Sequence, residues 1–455
     1  MIYIILGFAL FLRLVSINQS FWLDEATTGI VARNLSLTEF FNEFLPGDFH
    51  PPLYYLAVKA WGNLFGFGEV ILRLPSVIFG VATVYVTCLI GSKIKGKSMG
   101  ALAALLMATA PLHVYYSQEA RFYAATTLLV SLSVFFYLKK HWVGFATTLL
   151  AIGMTDYLPL FIIPVFWLYE VLKNKALSKK FVLAHVPLAI GFLAIGNIFL
   201  AQVAGGASVR ASGSAWWEVL GKTNLKNLAL VPVKFATGRI NFGNNLVYAI
   251  FIFTALFTFS ILVYRLKERL KRPKNGEFFI LLWLVVPILI AAAAGFFVPV
   301  MRFFRFLFVL PAMYLLIAAG INALKPERFV PALALVLAIN LFFTHRYLAG
   351  ARFHREDWRG LVNFISQNSP VDSSQIVFVS NSQMEGYRYY DRDAKLLGGA
   401  SGVDKSKETV WVMRYVQDIF DPEDSVRRSV EELGYEKLSE YDFNGIVVWK
   451  YENSN

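Results

Sequence analysis

Two adjacent carboxylates are the first residues that could do chemistry: Asp24 and Glu25, in the run Ser20-Phe21-Trp22-Leu23-Asp24-Glu25-Ala26, just beyond the end of an apolar stretch. A carboxylate beside an apolar wall binds its proton more tightly, and one aimed at a hydroxyl can act as a general base. Asp24 also precedes a helix-prone run over 25–34, where it would serve equally as an N-cap. Next comes Asp48-Phe49-His50-Pro51-Pro52. The two prolines hold the residues before them extended, so Asp48 and His50, two apart, point the same way. Such a pair could hold a divalent metal, a phosphate or a hydroxyl, or form a solvated loop pair. An Asp-x-His alone is weak evidence for a metal.

A third cluster, Tyr115-Tyr116-Ser117-Gln118-Glu119-Ala120-Arg121-Phe122-Tyr123, places Glu119 and Arg121 in a few residues between two apolar runs. Charges at membrane depth cost several kcal/mol unless they face a cavity or a partner, which favours site residues over a bare turn. In Met301-Arg302-Phe303-Phe304-Arg305-Phe306, Arg302 and Arg305 sit where an apolar run begins. The planar guanidinium suits phosphate, and snorkelling toward lipid headgroups explains the same placement. Arg13 faces the same choice. Glu69 and Arg73 read as an i,i+4 ion pair on a short helix, and Asp156 reads as part of a plain turn. A longer loop over 202–245 carries Arg210, Trp216, Trp217, Lys222, Lys234 and Arg239, a mixture suited to a mobile flap.

The elements that must position these residues are membrane helices. Hydrophobic residues make up 56% of the 455 and charged residues only 16%, far from the balance of a soluble domain. Apolar runs recur from residue 1 to about 345 and then cease. The net charge of +12 does not point to nucleic acid, because seventeen Lys and Arg residues are concentrated in five short loops between apolar runs. Those loops are 93–97, 139–140, 173–180, 265–274 and 325–328. With all five cytoplasmic, the runs between them pair as hairpins: 98–116 with 121–138, 142–155 with 157–172, 181–201 with 246–264, and 278–297 with 303–320. Cys88, the sole cysteine, lies inside an apolar run, so no intramolecular disulfide forms.

The expectation is an α-helical polytopic membrane protein of about 11 spans, its membrane domain over 1–348. The first outer loop, 18–73, contains an interfacial helix over 52–66 that is too short to cross, anchored by Tyr54, Tyr55, Lys59 and Trp61. All the polar clusters then fall on one extracytoplasmic face. From 349 to 455 the pattern changes to that of a small soluble extracytoplasmic α/β domain. It predicts helices over 356–367 and 422–434, strands over 375–380 and 409–415, and a closing hairpin of 435–443 with 445–451. Asp391-Arg392-Asp393 reads as a solvated turn. The domain is expected to help shape acceptor access.

Taken together, Trp22-x-Asp24-Glu25, His50-Pro51-Pro52-Leu53-Tyr54-Tyr55, Arg73-Leu74-Pro75-Ser76 and Tyr116-Ser117-Gln118-Glu119-Ala120-Arg121-x-Tyr123 resemble the GT-C membrane glycosyltransferases. Within them, the branch is that of the dolichyl-phosphate-mannose protein mannosyltransferases and the bacterial aminoarabinose transferases. The resemblance covers about residues 18–125 by motif and the remaining spans by architecture. It implies an inverting transfer of a sugar from a polyprenyl-phosphate carrier to a protein, lipid or glycan acceptor on the outer face of the cell membrane. Asp24 would be the catalytic base, with Glu25 beside it. Arg121, Arg302 and Arg305 would meet phosphate, while Glu119, Asp48, His50, Tyr54 and Tyr116 would bind or position substrate. Where the aminoarabinose transferases carry Glu-Lys before the prolines, this chain has Phe49-His50, so their acidic metal contact does not carry over. A divalent metal at Asp48 and His50 stays open.

Two other readings share some of these features. An oligosaccharyltransferase or glycan ligase would move a preassembled chain rather than one sugar. A transporter or flippase would also place charges at span ends, but it would show inverted repeats and broken mid-membrane helices, and its polar clusters would not gather on one face.

Overall fold

The computed structural model describes residues 1–211, 219–369 and 373–453, without the side chains of 207–211. Trp216, Trp217 and the side chain of Arg210, assigned to the flap, lie outside the described residues. The chain divides into two compact units. One comprises Met1–Ile17, Ser36–Ala60 and Arg73–Phe353, and the other Asn18–Leu35, Trp61–Leu72 and His354–Asn455.

The first unit is helical. Among the described residues five helices, against the roughly 11 spans expected, are long and apolar enough to cross a membrane: Glu69–Lys95, Asn245–Tyr264, Gly276–Ala294, Phe303–Ile321 and Pro326–Ala349. A pair bent by 75°, Lys179–Ala194 with Gly196–Gly206, would add a sixth. The other expected spans correspond to shorter apolar pieces. The run 98–116 is two helices, Lys97–Ala108 and Pro111–Tyr116, because Pro111 cannot continue the first helix and instead starts the second. Likewise 157–172 begins as a 3₁₀ stretch, Leu158–Ile162, before Pro164 opens the helix Ile163–Asn174. Helix α1, Ile2–Leu14, is about 20 Å long at 1.5 Å per residue, short of a bilayer's hydrocarbon core.

The end of α1 shows how buried polar groups hold this unit together. Its last carbonyls lack helical partners. Gln118, itself fully buried, donates Nε2 to the carbonyls of Arg13 (2.9 Å) and Val15 (2.6 Å), and its Oε1 accepts from the Tyr347 hydroxyl at 2.6 Å. Arg13, also fully buried, donates Nη1 to the carbonyls of Ala9 and Ala108 and Nε to Ser117 Oγ, and its Nη2 lies 2.7 Å from His113 Nδ1. Arg13 is therefore a bolt between helices. The structure corrects both sequence readings of it, since all three of its nitrogens are engaged inside the protein.

The second unit contains helix α2, Leu23–Asn34, and a five-stranded sheet of order β2-β1-β3-β5-β4. Its strands are β1 Ser374–Phe378, β2 Leu396–Gly398, β3 Thr409–Met413, β4 Tyr435–Asp442 and β5 Val447–Asn453. Strand β1 runs parallel to β2 and β3, with Ile376 opposite Trp411. Strands β3, β5 and β4 follow as antiparallel neighbours, with Val412 opposite Trp449. Alternation sends Ile376, Phe378, Trp411 and Met413 to one face, under the helix Trp358–Asn368, and Val377, Val410 and Val412 to the other, under Ser425–Glu432. Both expected helices, the strands β1 and β3 and the closing hairpin are present within a few residues of the expected bounds. Strand β2 and the helix Glu385–Tyr390 are additions.

Replacing Gln118 with Leu would take the Nε2 bonds away from the carbonyls of Arg13 and Val15 and remove the acceptor that Tyr347 uses on this residue. At a cost on the order of 2 kcal/mol, Gln118→Leu is expected to lower the apparent melting temperature of the detergent-solubilised protein by several degrees. A scan of intrinsic fluorescence against temperature measures it.

Candidate active site

In the first unit, Asp48 is extended (φ −85°, ψ 175°) and the chain bends through Phe49 and His50 into Pro51-Pro52, which brings Asp48 and His50 together. Asp48 Oδ2 lies 3.4 Å from His50 Nδ1 and accepts a hydrogen bond from the Tyr55 hydroxyl at 2.9 Å, from the first turn of the helix Leu53–Phe65. Burial pushes the Asp48 carboxyl up, but His50, by charge and hydrogen bond, and the Arg121 guanidinium outweigh it and leave Asp48 at about 2. The same burial, reinforced by Asp48, holds the Tyr55 phenol well above its ordinary range, so it donates its proton and keeps it. The His50 ring packs 4.4 Å from that of Phe122, and the Arg121 guanidinium lies 5.1 Å from the centre of the same phenyl ring. Tyr54 meets Phe122 edge-on at 6.3 Å.

Sequence reasoning missed the residue that fixes this loop. Gln202, on the helix Gly196–Ala211, donates Nε2 to the carbonyls of Leu45 (2.8 Å) and His50 (3.0 Å) and accepts from the Tyr157 hydroxyl at 2.6 Å. A buried amide just past an apolar run was the available signal. The backbone of Leu53 donates to Met154 at 2.8 Å, joining the helix start to the turn that carries Asp156. Burial raises the Asp156 carboxyl above its usual value against the pull of His50 and then Arg305. Asp156 is thus electrostatically part of the site, where the sequence read a plain turn.

Arg305 donates Nη1 to the Pro299 carbonyl at 2.7 Å. Beside it Arg302 is held below the ordinary guanidinium range by burial, then by the like charges of Arg305 and Arg239. Arg239 stacks over the Tyr115 ring at 5.1 Å and donates to its hydroxyl at 3.3 Å. Arg302 thus lies within the field of both Arg305 and Arg239. The Tyr116 hydroxyl, within the field of Arg239 and of the buried Glu119, is buried without a hydrogen-bond partner. From the third sequence cluster, Arg121 lies within the field of Asp48 and Glu119 within that of Tyr116, while Ser117 and Gln118 hold helices together. Arg239, assigned only to the flap, belongs with Arg302 and Arg305.

Asp24 and Glu25 lie in the second unit. The N-cap of α2 is Trp22, so Asp24 sits inside the first turn and the N-cap reading is corrected. A carboxylate there is favoured by the helix dipole. Asp24 is half-buried, whereas Glu25 is fully buried with its Oε2 3.3 Å from Arg355 Nε. Glu69 pairs with Arg359 at 2.7 Å, and Arg73, in the first unit, donates to the Ile17 carbonyl at 2.8 Å.

Among the described residues no three His, Cys, Asp or Glu side chains converge as a metal cage would. Asp48 and His50 are the pair available to a divalent ion, which would need its remaining ligands from water or substrate.

The family model for Dolichyl-phosphate-mannose-protein mannosyltransferase matches residues 49–200, about one third of the chain, including the Asp156 turn and most of the Asp48/His50 site. No curated protein sequence matches the chain. Among solved structures, ArnT from Cupriavidus metallidurans bound to undecaprenyl phosphate is similar at 12% identity and a TM-score of 0.57, over 98% of this chain and 97% of that one. The oligosaccharyltransferase of Archaeoglobus fulgidus in complex with zinc and sulfate is similar at 13% identity and a TM-score of 0.57, over 99% of this chain and 73% of that one. The same archaeal enzyme, AglB, with an inhibitory peptide and a dolichol-phosphate, is similar at 13% identity and a TM-score of 0.51, over 100% and 74%. The chain therefore shares a fold with ArnT and with the archaeal oligosaccharyltransferase.

The depressed Asp48 carboxyl has a consequence for stability. Its folded value lies below the unfolded one, so its contribution is complete above the unfolded carboxyl range, roughly pH 4, and is lost as pH falls toward about 2. Asp48→Asn is expected to flatten the fall in melting temperature between those limits. Melting curves of both proteins across the acid range check this.

Proposed function

We propose that this chain is an inverting glycosyltransferase that moves a sugar from a polyprenyl-phosphate carrier to a hydroxyl of a protein, lipid or glycan acceptor on the outer face of the cell membrane. One observation carries the reading: Arg302 stacks on the Phe304 ring, which packs against Tyr116, whose buried hydroxyl has no hydrogen-bond partner, and the charges of Arg239 and Arg305 act on Arg302 as well. Cations beside a buried phenol with nothing to bond suit an anion with several acceptor oxygens, as the lipid phosphate has. The family match over 49–200 and the fold shared with a protein that binds undecaprenyl phosphate support the same ligand.

In the transfer, the acceptor oxygen attacks the anomeric carbon from the face opposite the phosphate. The carbon–oxygen bond to phosphate breaks as the new one forms, and polyprenyl phosphate leaves with the bonding pair. Asp24 takes the acceptor's proton. The arginines stabilise the charge growing on the departing phosphate, which is where preorganised cations contribute most. Asp48, with His50, Arg121 and Asp156, gives the sugar a set of charged and hydrogen-bonding groups. If a divalent ion sits at Asp48 and His50, it supplies further positive charge for phosphate oxygens.

The equal fold likeness to the archaeal oligosaccharyltransferase favours a second reading, in which the cargo is a preassembled glycan.

The test uses purified protein in lipid with radiolabelled polyprenyl-phosphate sugars and lipid-linked glycans. Asp24→Asn is expected to lower kcat by about 100-fold or more while donor binding persists, and Arg302→Ala to raise the donor KM by about tenfold or more. Transfer at the normal rate by Asp24→Asn sinks the base assignment. Turnover of glycans alone selects the second reading, and movement of solutes without any donor consumed selects a transporter.

A further inference from the structure

We infer that Arg355 is a positioning residue for the transfer reaction: through its buried ion pair with Glu25 it fixes the first turn of α2 and so the direction of Asp24. This rests on the reading of Asp24 as the base. The two side chains are 1% and 0% exposed and lie 3.3 Å apart. Ions so far from water hold one geometry, because neither has solvent to fall back on.

The pair is the centre of a wider grip. Arg355 also donates its backbone N–H and its Nη1 to Gln19 Oε1, both at 3.2 Å. Arg359, four residues on, donates its backbone N–H to Ser20 Oγ at 3.0 Å and its Nη1 to Glu69 at 2.7 Å. The Tyr390 hydroxyl accepts from the Phe21 backbone at 2.8 Å and bonds Glu69. Farther along α2, Gly29 makes room for the Tyr389 ring, which would lie 2.7 Å from a Cβ placed there. The segment around Arg355 and the helix Glu385–Tyr390 therefore hold both the approach to α2 and its flank. Asp24 stays half-buried beside a neighbour that cannot move. On this reading the C-terminal region acts on the chemistry itself, in addition to any part in acceptor access.

Full-length protein in lipid is assayed as Arg355→Ala, Arg355→Lys, Glu25→Gln and the double variant Glu25→Leu/Arg355→Met, each beside Asp24→Asn. Single removals strand a buried charge and can cost the fold, whereas the double variant removes both charges at once. Rates are expressed per folded molecule, counted by stoichiometric donor binding. For the double variant we expect kcat about 10- to 100-fold lower, with donor KM within about twofold and a melting temperature near that of the parent. A purely architectural role would change the melting temperature and the folded fraction but leave kcat per folded molecule intact. Partial recovery in Arg355→Lys relative to Arg355→Ala is also expected. If the double variant yields no folded protein, Arg355→Ala decides, and a kcat per folded molecule there equal to the parent's overturns the inference. An inactive Asp24→Asn beside a fully active double variant overturns the role of Arg355 alone. A fully active Asp24→Asn overturns both that role and the base assignment.

Discussion

Moving a charged side chain out of water costs several kcal/mol unless another group takes over its solvation, and each part of this molecule that carries a candidate residue meets that constraint in its own way. Arg13 spends its guanidinium on two carbonyls, a serine and a histidine, and so joins helices. Glu25 is met by Arg355, and Asp48 by His50, Tyr55 and Arg121. At Arg302 the pattern differs, because the like charges of Arg239 and Arg305 act on it and the buried Tyr116 hydroxyl finds no bond. Repulsion of that kind is costly to keep unless an anion repays it. The mismatch therefore separates the residues that hold the fold from those disposed to receive a ligand.

The membrane fold and much of the C-terminal sheet could be read in the sequence, because both are written in local periodicity. Helix boundaries were less visible. The breaks at Pro111 and near Gly196 depend on how neighbouring helices pack, and the short strand Leu396–Gly398 has too few residues to show alternation. In the site, Asp48 and His50 were legible because two prolines fix the backbone next to them. Arg13 was not, since Ser117 and His113 lie about a hundred positions away and no local pattern announces them. Gln202 and Arg239 were hidden for the same reason, and so was the partner of Glu25, 330 residues later in the chain.

The resemblance to known motifs treated Asp24 and Glu25 as one unit, yet their neighbours differ. Consecutive helical residues point about 100° apart, so an adjacent pair in one turn cannot present both carboxylates to the same place. One can be sunk into the protein and the other left where a substrate can reach it. Glu25, fully buried against Arg355, and Asp24, half-buried in the dipole-favoured first turn, divide in that way. A general base needs access to its proton donor and a fixed direction, and a single carboxylate on a helix start has no means of supplying the second. The adjacent acid supplies it only if its own partner is rigid. On the proposed reading, the second of the two neighbouring acids is held by a third residue far along the chain.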